Sequence, residues 1–257
     1  MEIIVEHKEG VCFITFNRPE VFNAFNKPMA MAVQNTLDAC EKDDTVRAVV
    51  LIGTGKAFCA GQDLAEVTDP KGTALKDIVG QHYNPIIKRI RAIEKPIIAA
   101  VNGVAAGAGA NIALACDIVF AKQSATFIQA FSKIGLIPDS GGTYFLPRII
   151  GVQKALALMM TGDKISAKEA EELNMIYKAV EDATFDSVVH SFVNKIAKMP
   201  TRALGLTKKA VNESLSNSLD VQLGLEEKLQ NEAGQTKDFN EGVEAFLEKR
   251  PAKFIGK

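Results

Sequence analysis

A chain of 257 residues can bury a sizeable α/β core without disulfide or metal staples. Its 30 Lys and Arg balance 31 Asp and Glu to a net charge of −1, which removes the electrostatic case for a nucleic-acid or membrane-surface partner. Cys12, Cys40, Cys59 and Cys116 are widely spaced, with no CxxC pair and no histidine placed beside them, so free thiols in a reducing compartment are expected and a metal is not.

The first residues carry acids where a signal peptide would be basic and then apolar. No run of about 18 apolar residues is uninterrupted, since glycines break even the stretch 96–116. A cytoplasmic protein without a membrane span is the expectation.

Segments 3–6 and 11–16, rich in β-branched and aromatic residues and joined through Gly10, predict a hairpin. Met29, Val33, Leu37 and Cys40 recur at helical steps and predict a helix over 28–42 with one apolar face. A buried-type strand at 48–52 leads into the small-residue loop 56–64. A helix over 75–93 follows, then an apolar strand at 96–101, a glycine-rich turn at 103–109, a short helix through Ala115 and a strand at 117–121. Alternating helices with continuously apolar strands argue for an α/β fold with a largely parallel sheet covered on both faces. Beyond Gly151 the pattern is almost wholly helical, at 152–161, 166–173, 183–198, 203–215, 218–234 and 239–248, with one strand at 175–180. Such a tail must fold back on the sheet or pack on another subunit, so oligomerisation is expected.

The run Asp139-Ser-Gly-Gly142 has the look of a serine-protease nucleophile loop, but its partners are missing. The histidines are His7, at the hairpin turn, His82, and His190, on the polar side of a late helix, and Pro138 stands where a G-x-S-x-G elbow needs glycine. Pro138 and the following glycines instead open a helix running to Ile150. Asp139 is then either an ordinary N-cap or an acid displayed at a pocket. The segment 102–111 follows a strand and opens a helix, yet lacks the third glycine and the acidic ribose reader of a dinucleotide site. Its glycines suit either close approach of backbone N–H groups to an anion or oxyanion, or tight helix-strand packing. The loops at 56–64 and 102–109 leave two strands of one parallel sheet at the same edge, where α/β sheets bind ligands and where two N–H groups can polarise a carbonyl.

Phe58-Cys-Ala-Gly-Gln-Asp-Leu64, Lys95-Pro-Ile-Ile-Ala-Ala-Val-Asn-Gly-Val-Ala-Ala-Gly-Ala-Gly109, Cys116-Asp117 and Gly135-Leu-Ile-Pro-Asp-Ser-Gly-Gly-Thr143 resemble the crotonase, or enoyl-CoA hydratase/isomerase, superfamily. The resemblance extends through Thr161-Gly-Asp-Lys-Ile-Ser-Ala167 to Glu241-Gly-Val-Glu-Ala-Phe-Leu-Glu-Lys-Arg250. It implies a spiral of β-β-α repeats over 1–200, a C-terminal helical trimerisation region over 201–257, and a homotrimer or dimer of trimers. It also implies an acyl-CoA thioester substrate, with coenzyme A arriving as part of that substrate and no separate cofactor. The thioester oxygen would sit between the backbone N–H groups of Gln62 and Ala108.

By the same resemblance, the two glutamates of the family's hydratases fall on Asn111 and Phe131. Asp139 matches the single carboxylate of several isomerase branches, so an isomerase is expected ahead of a hydratase or a non-catalytic CoA-binding protein. Val104-Ala-Ala-Gly-Ala-Gly109, the run 130–139, Tyr83-Asn-Pro85 and Phe254-Ile-Gly-Lys257 resemble the branch that converts ring-1,2-epoxyphenylacetyl-CoA to the oxepin. Implied substrate contacts are Val21, with Arg18 and Pro19, over the coenzyme, and Ala60, Gly61, Asp63 and Leu64 along the adenine and pantetheine path. Asn111 and Phe131 are further candidate substrate contacts, the resemblance giving Asn111 no specific role, and His82 and Tyr83 either shape the acyl pocket or pack on the helix. Phe246 and Lys249 would be at the nucleotide end, unless Lys249 is simply solvated.

Overall fold

The hairpin forms from β1 (Ile3–Lys8) and β2 (Val11–Phe16), and β2 then pairs in parallel with β3 (Ala48–Gly53). In this computed structural model, which describes residues 1–68 and 73–257, further strands follow in pairs. They are β4 (Ala57–Cys59), β5 (Ile97–Val101), β6 (Val104–Ala106), β7 (Ile118–Lys122), β8 (Thr126–Ile128), β9 (Lys164–Ser166) and β10 (Lys178–Val180). The helices are α1 (Lys27–Lys42), α2 (Leu64–Thr68), α3 (Leu75–Asp77), α4 (Asn84–Ala92), α5 (Ala108–Ala115), α6 (Gly142–Ile150), α7 (Val152–Thr161) and α8 (Ala167–Glu172), then α9 (Phe185–Ala197), α10 (Thr201–Ser214), α11 (Leu219–Ala233) and α12 (Lys237–Leu247).

Two sheets result, one ordered β1-β2-β3-β5-β7-β10 and the other β4-β6-β8-β9. Each of β3, β5 and β7 lies in the first sheet and is followed within a few residues by β4, β6 or β8 in the second, so the chain steps between sheets as it winds. This is the expected α/β spiral. The pairs β3-β5, β5-β7, β4-β6 and β6-β8 are all parallel, so the turns leaving β4 and β6 lie at one edge.

The alternation of side chains explains why the large sheet is buried on both faces. Val49, Leu51, Ile97, Ala99 and Val101 face a core shared with Met29, Val33 and Leu37 of α1 and with Ile86 and Ile90 of α4. Ala48, Val50, Ile98, Ala100 and Phe120 face α9 through Phe185, Val189 and Val193. Asn26 caps α1 by accepting from the Met29 N–H at 3.0 Å, and Pro28 occupies its first turn.

Three readings of the sequence are corrected. Strands β4 and β6 of the second sheet lie in stretches read as a loop and a turn, and β8 and β9 in stretches with no expected strand, because strands of three residues are too short to display a period. The helix expected over 75–93 is interrupted by a π-helical turn at Ile78–Tyr83. The strand expected at 175–180 is only Lys178–Val180.

Helix α10 is anchored to the core by a largely buried charge cluster. Lys208 Nζ reaches Asp117 Oδ2 at 2.9 Å and donates to the carbonyls of Ile90 at 2.6 Å and Lys95 at 3.3 Å. Asp117 also accepts from the Ile97 N–H at 2.8 Å and from Arg91 at 3.4 Å. Burial pushes the Lys208 ammonium pKa down, and Asp117 pulls it back up. By contrast, α11 and α12 leave Leu219, Val221, Phe239, Val243, Phe246 and Leu247 exposed. Among the described residues no helix is long and apolar enough to cross a membrane.

Removing Asp117 strands a buried cation, a change that typically costs about 3–5 kcal/mol. Asp117→Ala is therefore expected to lose stability on that scale in urea unfolding. A loss below about 1 kcal/mol, the scale of an exposed pair, would mean that Lys208 escapes to water.

Candidate active site

The turn after β4 is held by Phe25. Its N–H donates to the Gly61 carbonyl at 2.7 Å, and its carbonyl accepts from the Asp63 N–H at 2.9 Å, a parallel bridge opposite Gln62. The intervening Gln62 N–H therefore points to the other side. Gly61 has φ +97°, and a Cβ there would stand 3.0 Å from the Ala106 carbonyl oxygen and 3.5 Å from the Ala108 nitrogen, so this turn lies against the end of β6. Ala108 is the first residue of α5, where an N–H has no intrahelical acceptor. Gly107 before it, at φ +53°, donates to the Ile128 carbonyl at 2.9 Å. Among the described residues neither the Gln62 nor the Ala108 N–H meets an acceptor. Two free donors thus meet at the ends of adjacent parallel strands, an arrangement able to bind a developing oxyanion. The nearby glycine at 109 serves packing, because a Cβ there would lie 2.3 Å from the Cys59 carbonyl oxygen.

The Gln62 side chain is fixed at both ends. Its Oε1 accepts from Tyr83 Oη at 2.8 Å, and its Nε2 donates to Glu66 Oε2 at 2.7 Å. Tyr83 is fully buried on the π-helical turn; burial, with Cys59, Asp139, Glu66 and Asp63 nearby, pushes its pKa well up and keeps it a neutral donor. The Cys59 thiol is pushed up to about 12 by burial, which makes it a poor nucleophile near neutral pH.

Asp139 is not the helix cap. The first helical residue is Gly142 and the cap is Gly141 at φ +77°, with no side-chain capping bond, while Ser140 stands outside the helix at φ +51°. A non-glycine residue in that region is held at a cost of order 1 kcal/mol, so the loop needs external support. The Asp139 carbonyl supplies the anchor, accepting from the Gly142 N–H at 2.9 Å and from Asn111 Nδ2 at 2.8 Å. Asn111 Oδ1 in turn accepts from Gln129 Nε2 at 2.8 Å. A Cβ on Gly142 would lie 2.3 Å from Asn111 Nδ2, so only glycine admits this contact.

The Asp139 carboxylate is mostly buried, and burial raises its pKa above the usual carboxylate value. The Ser140 hydroxyl, which donates to Oδ1 at 2.8 Å, opposes that rise. Oδ2 has no hydrogen-bond partner among the described residues. Ser140 itself is buried against this acid and has no histidine bonded to it, so it is not a triad nucleophile.

The other acids of the site are occupied. Asp63 pairs with Arg18 at 2.8 Å and accepts from the Ala65 N–H at 3.1 Å, and Glu66 takes the Gln62 amide and the Lys27 N–H. Phe131 is buried beside the loop leading to Ala108, with its ring 3.8 Å from where a Gly107 Cβ would stand. Ala60 donates to the Phe22 carbonyl at 3.0 Å, Leu64 is exposed, and Val21 ends the short turn Pro19–Val21. His82 is buried, with neither ring nitrogen hydrogen-bonded among the described residues, and burial lowers its pKa. Phe246 lies exposed on α12 and Lys249 just beyond it at φ +55°, and neither hydrogen-bonds the loops around Gln62, Ala108 and Asp139 among the described residues. Gln129 escaped the sequence reading because its partner is 18 residues away, and no local pattern marks such a pair.

Comparisons with known proteins agree with this architecture. The family profile described as enoyl-CoA hydratase/isomerase matches residues 6–257. The 1,2-epoxyphenylacetyl-CoA isomerase of Escherichia coli (strain K12) is 48% identical over 261 residues, covering 100% of both chains. A protein of Rhodobacter capsulatus named "Probable enoyl-CoA hydratase" is 45% identical, covering 98% of this chain and 97% of that one. The crystal structure of an enoyl-CoA hydratase from Bacillus anthracis superposes with a TM-score of 0.93 at 32% identity, over 100% of both chains.

The raised Asp139 pKa fixes the sign of a stability effect. The folded chain holds this proton more tightly than the unfolded chain, whose aspartates titrate near about 3.9, so the folded state loses stability as pH rises through the folded pKa. Asp139→Asn, which carries no charge to bury, is expected to melt at a higher temperature than the parent at pH 7. The gap should close as pH falls below the ordinary aspartate range. A variant that melts lower at pH 7, or by the same margin at every pH, contradicts the burial described.

Proposed function

This chain belongs to the enoyl-CoA hydratase/isomerase family, and we propose that within it the chain is an acyl-CoA isomerase with Asp139 as its single acid-base group. The observation that carries this reading is the disposition of carboxylates. Among the described residues Asp139 keeps one oxygen without a partner, while Asp63 and Glu66 are tied to Arg18, Gln62 and backbone donors. A one-carboxylate site suits a 1,3-proton shift. Asp139 takes a proton from the carbon next to the thioester, the Gln62 and Ala108 N–H groups hold the resulting enolate oxygen, and the same carboxyl returns the proton farther along. On a 3-enoyl-CoA the product is the 2-enoyl-CoA. On ring-1,2-epoxyphenylacetyl-CoA the same removal and return of one proton accompanies opening of the three-membered ring and expansion to the oxepin, with no atom gained or lost. The 48% identity to the Escherichia coli isomerase supports the second substrate.

Val21, Ala60, Gly61, Asp63 and Leu64 are proposed to line the coenzyme path, with Asp63 acting through its pairing with Arg18. Phe131 and Tyr83 would bound the acyl group, and Phe246 and Lys249 would meet the nucleotide in a homotrimer or dimer of trimers. The exposed apolar faces of α11 and α12 support that assembly. Hydration is the second reading, favoured by the name of the Rhodobacter capsulatus relative. It asks one group to deprotonate water and usually another to deliver a proton. Position 111 here offers an amide engaged with Gln129 and Asp139, and position 131 a phenyl ring.

Purified protein given 3-enoyl-CoA, 2-enoyl-CoA and the phenylacetyl-CoA epoxide separately is expected to isomerise the first or the third and to leave the second unhydrated. Asp139→Asn should lower turnover by about 10³-fold, within the usual range for a lost acid-base group, while acyl-CoA binding persists. Turnover must also fall as pH drops through the Asp139 pKa, so the acid limb of kcat should lie above the ordinary carboxylate range and vanish with the Asn variant. Rapid hydration of 2-enoyl-CoA, or an Asn variant with parent turnover, would refute the reading.

A further inference from the structure

We propose that Gln129 is a positioning residue for Asp139, and that the chain from Ile128 to Phe131 sets the span between this base and the oxyanion donors. The inference rests on Asp139 being the base, as argued above. Gln129 is buried, lies at the end of β8 and touches neither free donor by hydrogen bond; it acts through Asn111.

The polarity of the link follows from elementary chemistry. The Asp139 carbonyl can only accept, so Asn111 must present its nitrogen to it and its oxygen to Gln129, which must then donate. Each member permits one arrangement of the next. The loop at the far end requires such a tie, since Ser140 and Gly141 both hold left-handed backbone and α6 starts without a side-chain cap. On its other side the same stretch of chain binds the oxyanion loop: the Ile128 carbonyl accepts from the Gly107 N–H at 2.9 Å, one residue before Ala108, and the Phe131 ring packs beside Gly107. Base and donor are thereby referred to one stretch of backbone.

Among the described residues the Gln129 side chain makes one hydrogen bond, the donation to Asn111 Oδ1, so replacing its amide cuts that link and no other.

The test is Gln129→Met, which keeps length and removes the donor, assayed on a 3-enoyl-CoA beside the parent and Asp139→Asn. A misplacement of about 1 Å can cost about 10²-fold in rate. The expected result is a kcat reduced at least about tenfold with KM within about threefold and an undiminished melting temperature. In an Asn111→Leu background the same change should cost less than about twofold more, because the link is already cut. Should Gln129→Met fail to fold, Gln129→Asn withdraws the donor by one methylene and carries the same expectation. Parent kcat in either folded variant, or full additivity with Asn111→Leu, overturns the proposal. If Asp139→Asn itself keeps parent turnover, it is the base assignment that fails, and the two failures are told apart.

Discussion

The hydrogen bonds that prolong the small sheet beyond its last residues are the constraint on which the site depends. Phe25 binds the carbonyl of Gly61 and the N–H of Asp63, and Gly107 binds the carbonyl of Ile128. A strand has donors on both edges in alternation, so satisfying the neighbours of Gln62 on one side turns its own N–H to the other. Ala108 gains its free N–H differently, as the first residue of a helix whose opening turn has no internal acceptors. Two unrelated local rules thus deliver the same product, an unpaired N–H beside its counterpart. Strands β4, β6 and β8 have only three residues each, and yet their parallel register is what brings the two turns together.

Much of this was legible in the sequence. The period of Met29, Val33 and Leu37 and the unbroken apolarity of β3 and β5 follow from side-chain chemistry at short range, and these elements appeared where expected. The resemblance carried by 58–64, 95–109 and 135–143 named the same loops that the fold gathers, and the family profile covers them. What stayed illegible was either too short or too remote. Three-residue strands show no period, and the π-helical turn at Ile78–Tyr83 sits inside a pattern that reads as continuous helix. Asp139 could not be told from an N-cap, because the distinction rests on where the helix begins, and the left-handed backbone of Ser140 and Gly141 moves that start to Gly142. The engagement of Asn111 was invisible, since its partners at 129 and 139 are adjacent only after the chain has wound between sheets.

Rigidity around the site comes from the same source as the fold. Asn111 sits on α5, which is buried along its whole length, and Tyr83 lies at the meeting of the π-helical turn with α1 and the core. Their polar groups are therefore held by packing as well as by hydrogen bonds, the condition under which a donor or an acid keeps its aim. Of the late helices, α9 packs on the large sheet through Phe185, Val189 and Val193, and α10 is joined to the ends of α4 and β5 by Lys208 with Asp117 and by Asn212, which donates to the Arg91 carbonyl at 3.1 Å.

A site that moves one proton with one carboxylate, as proposed for Asp139, has a further requirement, that nothing beside the acid titrates with it. Two interacting groups lose and gain protons as a pair, and neither then has a pKa of its own to tune. Among the described residues, the groups bonded to Asp139 or acting on it include the Ser140 hydroxyl, the Asn111 amide and the Tyr83 phenol, whose proton is retained because burial disfavours the phenolate. None changes charge near neutral pH. The histidine next in sequence to Tyr83 is driven toward its neutral form by burial, which extends the same silence one residue further. Asp139 therefore stands between burial, which raises its pKa, and the Ser140 hydroxyl, which opposes that rise. An acid at position 111 would face the Asp139 carbonyl oxygen with like polarity and couple to the carboxylate beyond it. The amide found there is the group of that size able to donate to the carbonyl without adding a second charge.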